Sequence, residues 1–370
     1  MRILLLWTYY DAYLADVYRR FPTLAGEPYR RQLDTILDDY FGWPPAVARR
    51  LAEAGHEVEV VVGNAERLQR AWAAEQGVPF RAPDWRTAVV REQIRRFQPD
   101  VLWVGSAPEY LSGFLDEARG SARATFAWIA APLPSTFRLR GVDCVLTSHE
   151  PFRERFRADG LDAEIVLPCF EPRILERLGT VERDVPLSFT GSLSWAHPTR
   201  VEFMTQLAAR TPLQLWVARP KLASRGWLQG GYFRLWSRGR RLARRSHRPV
   251  FGLEMYRVLA RSQATCNVHV EVAAGLAGNM RMFEATGCGA VLFTEAMPNL
   301  PELFDPESEV VPYTGAADLV ERATALLDDP RRLAAIARAG QARTLRCHST
   351  ELRARTIADL FAARLAGAAR

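Results

Sequence analysis

Two glycines and a polar helix start stand together in the run Gly275-Leu276-Ala277-Gly278-Asn279-Met280-Arg281-Met282-Phe283-Glu284-Ala285-Thr286-Gly287-Cys288-Gly289. Gly275 and Gly278 let a backbone bend closely around a ligand. A helix beginning at Asn279 aims free N–H groups and a partial positive charge at the same point, which suits a diphosphate. Arg281, in the first turn, adds a charge-assisted bond to phosphate oxygens. Glu284 lies three residues on, one turn deeper on the same face, where a carboxylate can accept hydrogen bonds from both vicinal hydroxyls of a ribose. An equally good reading of the same residues has Glu284 capping its own helix and Arg281 pairing with it.

A second group is Gly191-Ser192-Leu193-Ser194, followed by His197 and, three residues on, Arg200. His197 and Arg200 face one way at a helix start, where the imidazole either contacts phosphate, exchanges a proton near neutral pH, or simply caps the helix. Thr8, Tyr9, Tyr10 and Asp11 follow the first strand at its carboxyl end, a place for acceptor or catalytic groups, and Asp11 is the titratable one. His269 sits in an apolar strand and reads as a satisfied core histidine. His56 reads as a surface-loop residue, and His348 as the cap of the last helix.

Several chemistries are excluded by what is missing. There is no G-x-x-x-x-G-K-[ST] and no G-x-G-x-x-G after the first strand. Gly191-Ser192-Leu193-Ser194 lacks the second glycine of a nucleophile elbow. Neither H-E-x-x-H nor D-x-D occurs, so no metal is expected. The five cysteines are scattered and never form C-x-x-C, which argues against a disulfide framework and a structural zinc.

The elements that must position these residues alternate short apolar runs with amphipathic stretches, as parallel α/β layers do. Strands are expected at Ile3 to Trp7, Glu57 to Val62, Val101 to Val104, Thr125 to Ile129, Cys144 to Leu146 and Glu164 to Leu167. Pro45 opens a helix that Gly55 closes. The prolines of Pro168-Cys169-Phe170-Glu171-Pro172 place a linker at residues 168 to 184. A second α/β pattern follows, with strands at Leu187 to Thr190, Leu213 to Val217, Ala264 to Val270 and Ala290 to Phe293. The tail is helical, with Leu352, Ile357, Leu360, Phe361 and Leu365 on one stripe.

The chain of 370 residues is 48% hydrophobic and 25% charged, ordinary for a globular protein, and has no apolar run long enough to span a bilayer. Its start, Met1 to Trp7, resembles a secretion signal only superficially, because Asp11 and Asp16 follow and no cleavage site is offered. A cytoplasmic location is therefore expected. The net charge of +7 is local: residues 219–248 hold nine arginines and Lys221 with no acidic residue. With Tyr232, Phe233 and Trp236 among them, that run suits a peripheral contact with an anionic membrane, an anionic acceptor, or a solvated insertion. No nucleic-acid motif accompanies it.

The stretch Asn267-Val268-His269-Val270-Glu271 through Asn279-Met280-Arg281-Met282-Phe283-Glu284-Ala285-Thr286-Gly287-Cys288-Gly289-Ala290 resembles the CgeB-like (spore-maturation-type) glycosyltransferases of the GT-B fold. Phe189 to Ser194 with His197 and Arg200, Gly252 to Tyr256, Leu68-Gln69 with Trp72-Ala73, and Trp128 to Pro134 support the resemblance. It implies an α/β protein of GT-B architecture, two Rossmann-like domains facing across a cleft. The domains would be an acceptor-side residues 1–175, a donor-binding residues 176–350, and a helix, residues 351–370, packing back on the first. It also implies sugar transfer from a nucleotide-diphosphate-sugar to a glycan, protein or lipid-linked acceptor, with the nucleotide-sugar as co-substrate and no cofactor or metal. Glu284 would bind the donor ribose, with Gly191, Ser192, Gly278, Asn279 and Arg281 around the diphosphate. His197, Arg200 and Asp11 are the catalytic candidates. Many related retaining enzymes carry a second glutamate eight residues earlier; here that place is Leu276, so the sugar contact falls to the backbone of residues 275–278 or to Glu271. The alternatives are a nucleotide-sugar epimerase on the same fold and a non-catalytic sugar-binding partner.

Overall fold

Apolar runs without alternation bury both faces of a strand, so they assemble into parallel sheets covered by helices on each side. A computed structural model describes residues 1–80, 83–105, 108–111, 113–133, 137–193, 198–218, 242–269 and 275–367. It divides into two units, Met1–Glu171 with Thr350–Arg370, and Pro172–Ser349.

The first unit holds a six-stranded sheet of β1 (Arg2–Trp7), β2 (Glu57–Val62), β3 (Val101–Val104), β4 (Ala124–Trp128), β5 (Cys144–Thr147) and β6 (Asp162–Ile165). The strands are all parallel, in the order β2-β1-β3-β4-β5-β6. The order therefore reverses between β1 and β3. Helix α1 (Asp11–Arg20) follows β1, and α2 (Trp43–Glu53) begins with Pro44 and Pro45, where a missing N–H costs nothing. Of the apolar stripe of the terminal helix, Thr350–Gly367, Ile357, Phe361 and Leu365 are buried and Leu352 is exposed; Phe361 lies 5.9 Å from Trp103 and 4.5 Å from Phe126, ring to ring.

The places where the chain leaves and re-enters this unit are tied together. Thr350 donates its N–H to the carbonyl of Phe170 (3.0 Å) and its hydroxyl to Glu171 Oε2 (2.8 Å). Arg50 grips both oxygens of the buried Glu171 carboxylate. The linker expected at residues 168 to 184 is partly helical, over Arg173–Leu178, with Pro172 as its N-cap residue.

In the second unit, β7 (Val185–Ser192), β8 (Leu213–Ala218), β9 (Ser246–His247), β10 (Ser262–Cys266), β11 (Val291–Glu295) and β12 (Val311–Tyr313) form a parallel sheet in the order β12-β11-β10-β7-β8-β9. Here the reversal falls between β7 and β10. The covering helices include α3 (Pro198–Arg210), α4 (Gly252–Arg261), α5 (Met280–Gly287) and α6 (Pro330–Cys347). Leu187, Phe189, Met204, Leu207, Phe293 and Leu319 are among the buried side chains of its core.

Two local expectations are corrected. The strand expected to reach Val270, which itself lies outside the described residues, stops at Cys266: the Asn267 carbonyl accepts from the Tyr313 hydroxyl and the His269 N–H donates to the Glu295 carboxylate, so side chains replace the ladder partners. His348 does not cap the last helix. It is the C-cap residue of α6, its ring lies 4.7 Å from Phe283 and 5.4 Å from Phe304, and its Nε2 is 3.1 Å from the carbonyl of Leu303. All five cysteines are free and four are buried. Among the described residues, no helix is long and apolar enough to cross a membrane.

At Gly340 of α6 a Cβ would run into the carbonyl oxygen of Glu309. Backbone cannot rotate out of the way, so Gly340→Ala is expected to cost about 2 kcal/mol. A thermal melt should show a Tm about 5 °C lower.

Candidate functional site

In open α/β sheets, ligands bind beyond the carboxyl ends of the strands where the strand order reverses. In the second unit that place lies between the ends of β7 and β10. β7 finishes with Gly191 and Ser192, both exposed. Arg200, in the first turn of α3, spans the reversal. Its Nη1 donates to the carbonyl of Ser192 (3.4 Å) and its Nη2 to the carbonyl of Val268 (3.1 Å). The residue is 9% exposed, and its Nε has no hydrogen-bond partner among the described residues. Burial lowers the pKa of this guanidinium and the nearby Glu295 opposes the shift; an arginine remains a cation regardless.

Beyond β10 a chain of side-chain bonds leads to the start of α5. Asn279 is its N-cap residue, with φ −72° and ψ 157°. An asparagine there usually accepts from an amide of the first turn. This one makes no capping bond: its Nδ2 donates to Asn267 Oδ1 (2.8 Å), and its own Oδ1 is buried without a partner among the described residues. Asn267 Nδ2 in turn lies 3.3 Å from Thr294 Oγ1 and 3.4 Å from His269 Nε2. His269 Nδ1 is 2.8 Å from Glu295 Oε2, which also accepts the backbone N–H of His269 (2.6 Å). One tautomer satisfies the whole series, with the proton on Nδ1 facing the carboxylate and Nε2 accepting from Asn267. The Tyr313 hydroxyl donates to the carbonyl of Asn267 (2.7 Å).

The loop before α5 is held from the other side. Asn299 accepts from the N–H of Ala277 (2.8 Å) and donates to its carbonyl (2.9 Å), so one amide fixes both backbone groups. Gly275 and Gly278 adopt φ of +74° and +143°, conformations in which a side chain would be strained.

Glu284 is 1% exposed. Arg281 Nη1 lies 2.7 Å from its Oε2, and the Tyr256 hydroxyl donates to its Oε1 (3.2 Å). Arg281 also reaches Met255 Sδ (3.0 Å). Burial, reinforced by the Glu284 charge, pushes the Tyr256 hydroxyl well above the usual tyrosine pKa, which keeps it a donor. A ribose hydroxyl reaching Glu284 competes with Arg281 and Tyr256 for the carboxylate.

Contacts thus link Ser192, Arg200, Val268, Asn267, Asn279, Arg281 and Glu284 around one end of one sheet, beside Gly191 and Gly278. Asp11 belongs to the first unit, where it is the exposed first residue of α1, with Asn64 Nδ2 3.4 Å from its Oδ1. His197 and Glu271, with residues 219–241 of the basic run, lie outside the described residues. Sequence reasoning gave no role to Asn64, Asn299 or Glu295. Asn64 stands just past a strand, Glu295 ends one and Asn299 precedes a short helix, but nothing in the residue type marked them.

Residues 200–359 match the family described as glycosyl transferase-like, a span that runs from Arg200 through α5 and α6. No curated protein sequence matches the chain significantly. Its fold is similar to that of HepE from Anabaena in complex with UDP-glucose, at TM-score 0.61 and 12% identity over 98% of this chain and 99% of that one. It is also similar to sucrose-phosphate synthase from Thermosynechococcus elongatus (TM-score 0.60, 12% identity, 99% of each chain). A third likeness is to AviGT4, a glycosyltransferase involved in avilamycin A biosynthesis (TM-score 0.57, 18% identity, 88% of this chain and 91% of that one). With the family match covering Arg200, Asn267, Asn279, Arg281 and Glu284, residues 200–359 are a glycosyl transferase-like domain in a chain of the GT-B fold.

Proposed function

We propose that the protein moves a sugar from a nucleotide-diphosphate-sugar to a hydroxyl acceptor without a divalent metal, in the manner of the CgeB-like enzymes. The observation that carries this reading is the uncapped start of α5. Asn267 draws the Asn279 side chain away from the helix end, leaving the first-turn amides and their positive potential for an anion. Arg281 stands in the same turn, and Arg200 holds a buried cation at the strand reversal. Charge that builds on a departing diphosphate would meet fixed N–H groups and guanidinium in place of a metal ion. Gly191, Ser192 and Gly278 let backbone approach the phosphates, and Glu284 takes the ribose. Asp11 and His197 stand as the acceptor-side and proton-transfer candidates. HepE is seen with UDP and with UDP-glucose, which makes UDP-glucose the first donor to try.

Turnover is read as release of free nucleoside diphosphate from a panel of nucleotide-sugars, with and without acceptors, in excess EDTA. Acceptor-dependent release that persists in EDTA is the expected result. Activity that vanishes in EDTA and returns with magnesium or manganese would remove the metal-free mechanism. A donor converted to its epimer without acceptor-dependent release would replace transfer by epimerisation.

A further inference from the structure

The donor reading leaves unused an exposed aromatic face in the first unit. There the strand order reverses between β1 and β3, so the chain beyond Trp7 stands where an open α/β sheet takes a ligand. Tyr9 is buried, its ring 4.9 Å from Tyr13 and 6.0 Å from Phe41. Its backbone is gripped twice by Asn64, which accepts the N–H (3.0 Å) and donates to the carbonyl (2.7 Å). With Tyr9 fixed, the next side chain is held outward: Tyr10 is 72% exposed, the most exposed large apolar side chain among the described residues.

The surroundings of Tyr10 are packed. Its ring meets Phe41 edge to face at 6.0 Å and 62°. Phe41 follows Tyr40, which adopts φ of +53°, a conformation that costs a residue with a side chain about 1 kcal/mol and persists only when neighbours enforce it. Tyr40 is itself buried, and its hydroxyl accepts from Arg49 (3.2 Å). Asp11 comes next in the chain, exposed, beside the Asn64 amide. An aromatic face lies flat against the C–H face of a pyranose ring, and a carboxylate with an amide beside it takes the ring hydroxyls. The same carboxylate repels a phosphate, and Tyr10 alone of these rings is widely exposed, which offers little to an acyl chain.

We propose that Tyr10, Phe41 and Asp11 form a binding site for an uncharged pyranoside, the acceptor of the transfer. The word acceptor rests on the function proposed above; the binding site does not. Saturation-transfer NMR on the full chain without nucleotide tests it, with methyl glucoside, methyl galactoside and methyl mannoside as probes and dodecyl phosphate as the lipid-phosphate comparison. At least one methyl pyranoside should receive saturation on its ring protons. Tyr10→Ala should weaken that binding about tenfold, Tyr10→Phe should keep it, and Asp11→Asn should weaken it several-fold. The exposure of Tyr10 makes an unfolded variant unexpected, and a melting curve checks this.

Pyranoside saturation that is absent, or indifferent to Tyr10→Ala, would overturn the proposal. So would dodecyl phosphate binding that alone depends on Tyr10. Calorimetry with UDP on the wild-type protein separates the two readings: no UDP binding sinks the donor site and leaves the pyranoside result standing by itself.

Discussion

Glu284→Ala should destabilise the second unit by about 3 kcal/mol, the scale for removing one partner of a buried ion pair. The carboxylate is buried between Arg281 and the Tyr256 hydroxyl, and its loss strands the buried hydroxyl and leaves the half-buried guanidinium without its counter-charge. Glu284→Gln keeps the volume and the Tyr256 bond but loses the charge facing Arg281, so it should cost less, about 1–2 kcal/mol. Urea denaturation followed by circular dichroism, with hydrogen exchange on the α5 amides, reads both. The same Gln variant should bind a nucleoside diphosphate about 1.5–3 kcal/mol more weakly, the worth of a hydrogen bond to a charged group. Calorimetry decides between the two readings of the residue. A destabilised variant with undiminished affinity leaves Glu284 a purely structural anchor for Arg281.

At Arg200 the expected result is a loss of nucleoside diphosphate affinity of about 2 kcal/mol on replacement by leucine, near thirtyfold. Leucine removes the buried cation at the strand reversal and leaves the carbonyls of Ser192 and Val268 without their donor. Arg200→Lys should fail to rescue, since one ammonium cannot span the carbonyl that ends β7 and the one beyond β10 as the planar fork does. Wild-type affinity in the lysine variant would show that the residue contributes charge alone, and wild-type affinity in the leucine variant would remove it from the donor site.

Much of the two sheets was legible because buried parallel strands advertise themselves as unbroken apolar runs: Ile3 to Trp7 and Ala290 to Phe293 need no context. The helix at α5 was legible from its glycines and its Asn279 start. The helices Asp11–Arg20 and Tyr29–Leu37 were passed over, although Tyr13, Leu14, Val17 and Tyr18 are buried at helical spacing. Tyrosines and arginines carry that pattern, and their polar tips dilute the apolar signal. The end of β10 was misplaced because Val268 and Val270 continue the strand's composition, while the side chains that take over its backbone groups, Glu295 and Tyr313, lie far along the chain. For the same reason the links from Arg200 to Val268 and from Asn279 to Asn267 were invisible. Sequence spacing reports neighbours along one element, and those bonds join the ends of different strands.

The hydrogen bonds that tie Thr350 to Phe170 and Glu171 carry a consequence for heredity. Residues 172–349 depart from and return to points that touch, so to the rest of the chain this half is a closed excursion. A recombination event that replaces that stretch keeps both of its ends at one place in the first unit, the cluster of Arg50, Glu171 and Thr350. The second sheet can then be inherited as a cassette while the first sheet, with the aromatic surface around Tyr10, descends unchanged.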